Sequence, residues 1–269
     1  MNAATNSQDK PATETAEEHL KRARDDYDAG KYVLAEFELR EALSLDEKLP
    51  DAHLLLGMTY WQEGKTSKAL DQIESALQYR PDYPEAHYHL SIIHFKTRAR
   101  TAAHKEIDLV IRQGLRSFDV YYLRGQIELA DNRFDQALTS FEEAARLLAP
   151  NDAGLARLRE QIDAVRHIKE SRSFELDPAY SRAQLSFFPQ PRYTEEARKR
   201  AVQGSIRVAV FVSEEGKVIS AIVLLGLGYG LDEEAVKAAR QLTFKPATKS
   251  GEPVSFWQMV EVEFHLRLR

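Results

Sequence analysis

His19, His53 and His87 recur at a fixed spacing, with His89 and His94 close by in the chain. Neutral imidazole is the commonest metal ligand, so a histidine column first raises the question of a metal site. Equivalent positions of a helical repeat lie about one layer apart, roughly 8–10 Å, which separates the column members. His87 and His94 are two turns apart on one helix and need a third element to share an ion. They read as packing or surface histidines. Gly226, Gly228 and Gly230 in "LLGLGYGLDEE" stand between a strand and a helix, as in a nucleotide loop. A phosphate needs bare N–H groups there, and Asp232, Glu233 and Glu234 would repel it. No GxSxG, HExxH or nucleophile–base pair is present. The acid pairs Glu142–Glu143 and Glu233–Glu234 fall on solvated helix faces. The expectation is a non-enzymatic chain with no catalytic residue, no metal and no cofactor.

The elements around these residues set the rest. The chain has 269 residues, 43% hydrophobic, with no cysteine and a net charge of −5. That length suits two domains, and the absence of thiols excludes disulfides and thiolate metal sites. Neither half carries the concentrated basic face that nucleic acid requires. No run of about 18 apolar residues could span a bilayer, and the polar start "MNAATNSQDKPATETAEEHL" has no apolar stretch of a secretory signal.

Residues 1–15 read as a disordered leader. From Ala16 the chain becomes helical and self-similar. Ala35, Ala69, Ala103 and Ala137 recur every 34 residues, as do Ala42, Ala76, Val110 and Ala144. Gly30 and Gly64 mark turns between paired helices, and Arg98 and Asn132 fill that column later. This period, with small residues at these offsets, is the signature of tetratricopeptide repeats, helix–turn–helix units stacked into a superhelix. Four repeats cover 16–151, and 152–172 reads as a capping helix with a stripe of Leu155, Leu158, Ile162 and Val165. Residues 173–190 form a connector, interrupted by Pro178 and Pro189 but rich in Phe174, Tyr180, Leu185, Phe187 and Phe188.

Residues 191–269 read as a small α+β unit: a short helix "YTEEARKRA", an antiparallel three-stranded sheet and one packed helix. Ile206, Val208, Val210 and Val212 alternate along the first strand, and Gly216 supplies the hairpin turn. "LDEEAVKAARQL" reads as a helix broken at Pro246. Val260, Val262, Phe264, Leu266 and Leu268 alternate with Glu261, Glu263, His265, Arg267 and Arg269 in the last strand. "PRYTEEARKRAVQGSIRVAVFVSEEGKV", "LDEEAVKAARQLTFKPATKSGEPV" and the closing strand resemble the C-terminal domain of the TonB family. Tyr193, Ala197, Gly204, Gly216, Leu231, Asp232, Ala235, Phe244, Pro246 and Ala247 match that pattern, while Thr194 replaces a usual proline.

The resemblance implies binding by strand addition. TonB proteins couple an inner-membrane motor to outer-membrane transporters, gripping an extended transporter segment. On that footing the site lies along the last strand at Trp257, Met259, Glu261, Val262, Glu263, His265 and Arg267, and the setting is the periplasm or cell envelope. This chain shows neither a membrane anchor nor a long proline-rich spacer, so it reads as the soluble part of an anchored protein or as an adaptor. The tetratricopeptide pattern implies a second, apolar groove at Tyr27, Met58, Trp61, Tyr88, Ile92, Phe95, Tyr122 and Leu129. That groove takes either a hydrophobic or helical peptide or the chain's own connector. The expected partners are proteins or peptides, a TonB-dependent transporter among them. The alternative is a structural scaffold whose last strand joins a homodimer.

Overall fold

The computed structural model describes residues 14–174 and 177–266. Of the predicted leader, Glu14 and Thr15 are described and residues 1–13 lie outside. Two compact units divide between Arg116 and Ser117.

The first unit holds three antiparallel hairpins. They are α1 (Ala16–Asp28) with α2 (Tyr32–Leu45), α3 (Pro50–Gln62) with α4 (Thr66–Tyr79), and α5 (Pro84–Lys96) with α6 (Arg100–Arg112). Thr15 starts α1 with a reciprocal cap: Thr15 Oγ1 accepts from Glu18 N at 3.2 Å and Glu18 Oε2 accepts from Thr15 N at 2.8 Å, satisfying two orphan donors of the first turn. Proline opens α3 and α5, where a missing N–H costs nothing. The recurrent small residues are why the helices approach. Ala35, Ala69 and Ala103 are fully buried, and a Cβ added at Gly57 would sit 2.6 Å from Ile73 Cγ1. The turn column is left-handed throughout: φ is +71° at Gly30, +76° at Gly64, +64° at Arg98 and +58° at Asn132 of the fourth hairpin. Glycine and asparagine adopt this readily, and Arg98 adopts it against its preference.

The second unit begins with a fourth hairpin, α7 (Phe118–Ala130) and α8 (Phe134–Arg146), followed by α9 (Ala153–Phe174). The connector is structured: β1 (Tyr180–Ser181) and β2 (Gln184–Phe187) precede the short helix α10 (Glu195–Lys199). Then come β3 (Gly204–Val212), β4 (Val218–Leu225), α11 (Leu231–Ala239), β5 (Thr243–Lys245), β6 (Ala247–Lys249), β7 (Glu252–Val254) and β8 (Phe256–Phe264). Helix α11 therefore ends well before Pro246, which instead joins β5 to β6. The main sheet is antiparallel in the order β4-β3-β8. Strand β1 pairs with β6, and β2 pairs with β5. Thus β1 and β2 of the connector, which the sequence offered as filler for the repeat groove, pair with strands of their own unit. Thr194 restores the helix start lost with the family proline: its Oγ1 accepts from Ala197 N at 3.2 Å and donates to the Tyr229 carbonyl at 2.7 Å.

Both faces of the sheet are covered. Ile206, Val208, Val210, Val260, Val262 and Phe264 pack against Ala197 of α10 and Leu231, Ala235 and Ala239 of α11. On the other face, Ala209 and Leu224 share a core with Leu158, Ile162 and Val165 of α9 and Phe141 of α8. The stripe of α9, predicted as a cap, thus lies between α8 and the sheet. Polar bonds fasten the same layer: Gln161 Nε2 donates to Leu224 O at 2.8 Å. Arg207 Nη1 donates to Leu129 O and Ala130 O, both at 3.1 Å.

Candidate protein-binding site

Strand β8 lies at the border of its sheet, so its backbone is the place to look for a partner. Its register with β3 is unbroken from Gly204 opposite Phe264 to Val212 opposite Phe256. In an antiparallel ladder each residue sends its N–H and C=O to the same side, and successive residues alternate sides. One bond fixes the parity. Trp257 N–H donates to Ser171 Oγ of α9 at 3.3 Å, away from β3. Met259, Glu261 and Glu263 therefore also point outward, while Phe256, Gln258, Val260, Val262 and Phe264 face β3. Among the described residues no strand pairs with the outer side of β8.

The predicted edge residues divide accordingly. The outward amides include Met259, Glu261 and Glu263, as strand addition needs. Val262 was placed on the edge by sequence, but its N–H faces β3 and its side chain is fully buried in the helix-side core. The Trp257 ring is spent on internal packing, stacked on His167 at 5.4 Å and tilted against Phe211 at 5.3 Å. Met259 packs against the α9-facing core. Glu261, Glu263 and His265 are exposed. Glu261 accepts from Arg207 Nε at 2.9 Å, and Glu263 meets His265 Nε2 at 2.9 Å. Arg267 lies outside the described residues. Arg207 and Ser171, both missed in sequence, govern this edge. The run "VAVF" at 208–211 was the available signal, since apolar residues on both faces mean a sheet covered on both sides.

The groove residues also separate. Tyr27, Met58, Trp61 and Ile92 line one cavity of about 180 Å³ together with His89. Burial there pushes the His89 imidazole down to about 4, so it is neutral at physiological pH. Tyr88 and Phe95 are half-buried and do not line that cavity. Tyr122, in the second unit, stacks on Phe118 at 5.4 Å and donates to Gln161 Oε1 at 3.3 Å. Leu129 is fully buried, which removes it from any groove surface.

The histidine column has a structural role. His19, His53 and His87 each use Nδ1 to bond a residue 19 positions on: Glu38 at 2.7 Å, Gln72 at 2.8 Å and Glu106 at 2.6 Å. These are staples between the two helices of each hairpin. Among the described residues no three His, Asp or Glu side chains gather as metal ligands. In the glycine loop, Asp232 Oδ1 accepts from Leu227 N at 2.8 Å and Gly228 N at 3.2 Å. A carboxylate thus holds the amides that a nucleotide phosphate would need.

Residues 189–266 match the family described as "Gram-negative bacterial TonB protein C-terminal". Residues 20–76, 60–127 and 118–147 match tetratricopeptide repeat families. The chain joins tetratricopeptide repeats to a TonB C-terminal domain. Protein TonB of Vibrio cholerae serotype O1 is 32% identical over 90 residues, which is 33% of this chain and 35% of that protein. The chain thus spans about a third of that relative's length. Among solved structures, Pseudomonas aeruginosa pilF shares the fold at a TM-score of 0.52, with 18% identity over 60% of this chain and 70% of that one. YrrB, described as a TPR protein with an unusual peptide-binding site, gives 0.49 and 19% identity, covering 60% of this chain and 81% of that one. Both the repeats and the TonB-type domain are protein-interaction modules. Among the described residues no helix is long and apolar enough to cross a membrane.

Proposed function

We propose that this chain is a non-enzymatic adaptor whose TonB-type domain captures an extended segment of another protein by strand addition to β8. The observation that carries this reading is the outer side of β8, where Met259, Glu261 and Glu263 present backbone groups to no described strand. A hydrogen bond contributes about 0.5–1.5 kcal/mol net. A few outward residues therefore give modest affinity, and side chains beside the edge must add to it. The Tyr27–Trp61 cavity of the repeats offers a second, apolar seat for a different partner. A TonB-dependent outer-membrane transporter is the partner that the domain's relationship suggests, with the cell envelope as the setting and energy transduction as the role.

The test compares Glu263→Pro with wild type in binding a synthetic peptide from the extended segment of such a transporter. Glu263 sends its N–H outward, so proline there leaves the internal ladder whole and removes a donor from the edge. Loss of binding with an unchanged melting curve supports strand addition. Unchanged binding by that variant refutes it. The rival reading, a scaffold dimerised through the same edge, predicts a dimeric mass in solution that Glu263→Pro converts to a monomer.

A further inference from the structure

The cavity of the first unit is apolar except at one place. Four helices build it: Tyr27 comes from α1, Met58 and Trp61 from α3, Ile73 from α4, and His89, Ile92 and Ile93 from α5. Ile73 and Ile93 are buried. Gln62 is exposed, and Met58, Trp61, His89 and Ile92 are half-buried, so the cavity reaches the surface. Two of its polar groups satisfy each other, since Gln62 Nε2 donates to Tyr27 Oη at 3.5 Å. His89 is different. Among the described residues its ring nitrogens make no hydrogen bond or ion pair, and its ring meets that of Tyr88 at 5.5 Å. Burial keeps the imidazole neutral, so it carries one N–H donor and one acceptor nitrogen. A ligand that pairs with either recovers free energy that the solvent-poor wall withholds.

We propose that this cavity binds a phenolic ring, with its edge and faces on Trp61, Met58 and the isoleucines and its hydroxyl on His89. The proposal rests on the reading of this cavity as a second seat and gives that seat its ligand; strand addition at β8 does not enter it. Size, walls and polarity each narrow the choice. The cavity holds about 180 Å³, and an apolar cavity of roughly 150 Å³ accepts benzene. One six-membered ring with a small substituent therefore fits. The Tyr27 and Trp61 rings favour an aromatic neighbour, and the Met58 thioether adds a sulfur–ring contact. An aliphatic group would fill the space and leave His89 unpaired. A carboxylate or ammonium would lose its hydration with no opposite charge among the described lining residues. A hydroxyl suits the imidazole in either tautomer, because it both donates and accepts. Residues 1–13, 175–176 and 267–269 contain no aromatic side chain, so none of them can supply the ring. It comes from a free phenol or from a tyrosine of a partner.

The chain has three methionines, so the full chain labelled with methyl-¹³C methionine gives an NMR spectrum that Met58→Leu assigns. Met58 reports on the cavity and Met259, in the second unit, is the control. The probes are p-cresol and toluene, which differ only by the hydroxyl. p-Cresol should bind about fivefold tighter, as a neutral hydrogen bond allows. A purely apolar cavity prefers toluene, which sheds less hydration. Tighter or equal binding of toluene therefore overturns the phenolic site and leaves an apolar seat standing. In His89→Leu the order should reverse, with toluene within about twofold of its wild-type affinity. A p-cresol preference that survives in the folded variant overturns the pairing with His89; if the variant fails to fold, the wild-type order decides. If neither compound moves the Met58 signal at millimolar concentration, the second seat falls with the proposal, and the Glu263→Pro test of β8 stands apart. N-acetyl-tyrosinamide separates the sources. A Met58 shift like that of p-cresol supports a partner's tyrosine, and no shift while p-cresol binds supports a free phenol.

Discussion

Arg207→Ala should uncouple the sheet from the fourth hairpin. The Arg207 side chain is only 13% exposed, and Nη1 bridges Leu129 O and Ala130 O at 3.1 Å with Asn132 Oδ1 at 3.4 Å. These carbonyls close α7, where the helix dipole is negative and the last acceptors lack intrahelical partners. Leu129 O keeps a bond from Asn132 N at 3.0 Å after the substitution, but among the described residues no other backbone donor reaches Ala130 O. Hydrogen bonds from a charged donor contribute about 1.5–3 kcal/mol each. With one carbonyl partly rescued, a loss of about 3 kcal/mol is expected. The Glu261 carboxylate is 48% exposed, so its pair with Arg207 adds less than about 1 kcal/mol. Arg207→Lys should recover part of the loss, since one ammonium cannot reach both carbonyls and Glu261 in the planar fork. The assay is urea unfolding followed by Trp257 fluorescence in a Trp61→Phe background, which reports on the second unit alone. A loss below about 1 kcal/mol would refute the reasoning. So would Glu261→Gln reproducing the full effect, because the surface pair would then be the fastening.

The parity of β8 predicts opposite outcomes at neighbouring positions: Val262→Pro deletes a ladder donor to β3 and should cost about 3 kcal/mol or more in thermal unfolding, while Glu263→Pro should change stability by less than about 1 kcal/mol. Ser171→Ala should accelerate hydrogen exchange at the Trp257 amide, read by NMR, without altering exchange at Val262. Gly57→Ala should lower stability by about 1–2 kcal/mol despite alanine's better helix propensity, because its Cβ would meet Ile73 Cγ1 at 2.6 Å and Ala69 O at 3.0 Å. His89 is neutral when folded down to about pH 4. Between its unfolded pKa near 6.5 and that value the unfolded chain binds the extra proton. Stability should therefore fall as pH drops through this window, by up to about 3 kcal/mol, and His89→Gln should remove that part of the pH dependence in urea titrations.

Much of the helical part was legible because repetition makes local rules visible several times over. The turn column marked the turns between paired helices at Gly30 and Gly64; the structure makes the backbone there left-handed, and Arg98 and Asn132 share that geometry without glycine. The small-residue columns marked close helix approach. The histidine column was read as packing or surface residues, and its 19-residue bonding rule was not seen. The connector was less legible: β1 and β2 are short, and their partners β6 and β5 lie some sixty residues away. The role of α9 was hidden for a related reason. Its apolar stripe announces burial but does not name the surface that buries it. Leu129 reads as a groove residue by repeat position, yet in its own unit the sheet-side core takes it.

By itself the sequence determined the helix hairpins, the order of the main strands and helices of the last domain and the alternation of side chains from Val260 to Phe264. These depend on short-range periodicity, capping and turn chemistry, all written within a few residues of one another. Tertiary structure alone decided which amides of β8 are available to a partner. Side-chain alternation distinguishes the two faces of a strand, but the direction of its N–H groups depends on where the neighbouring strand lies. Here β3 claims Val262, Ser171 claims Trp257, and Met259, Glu261 and Glu263 are left facing outward.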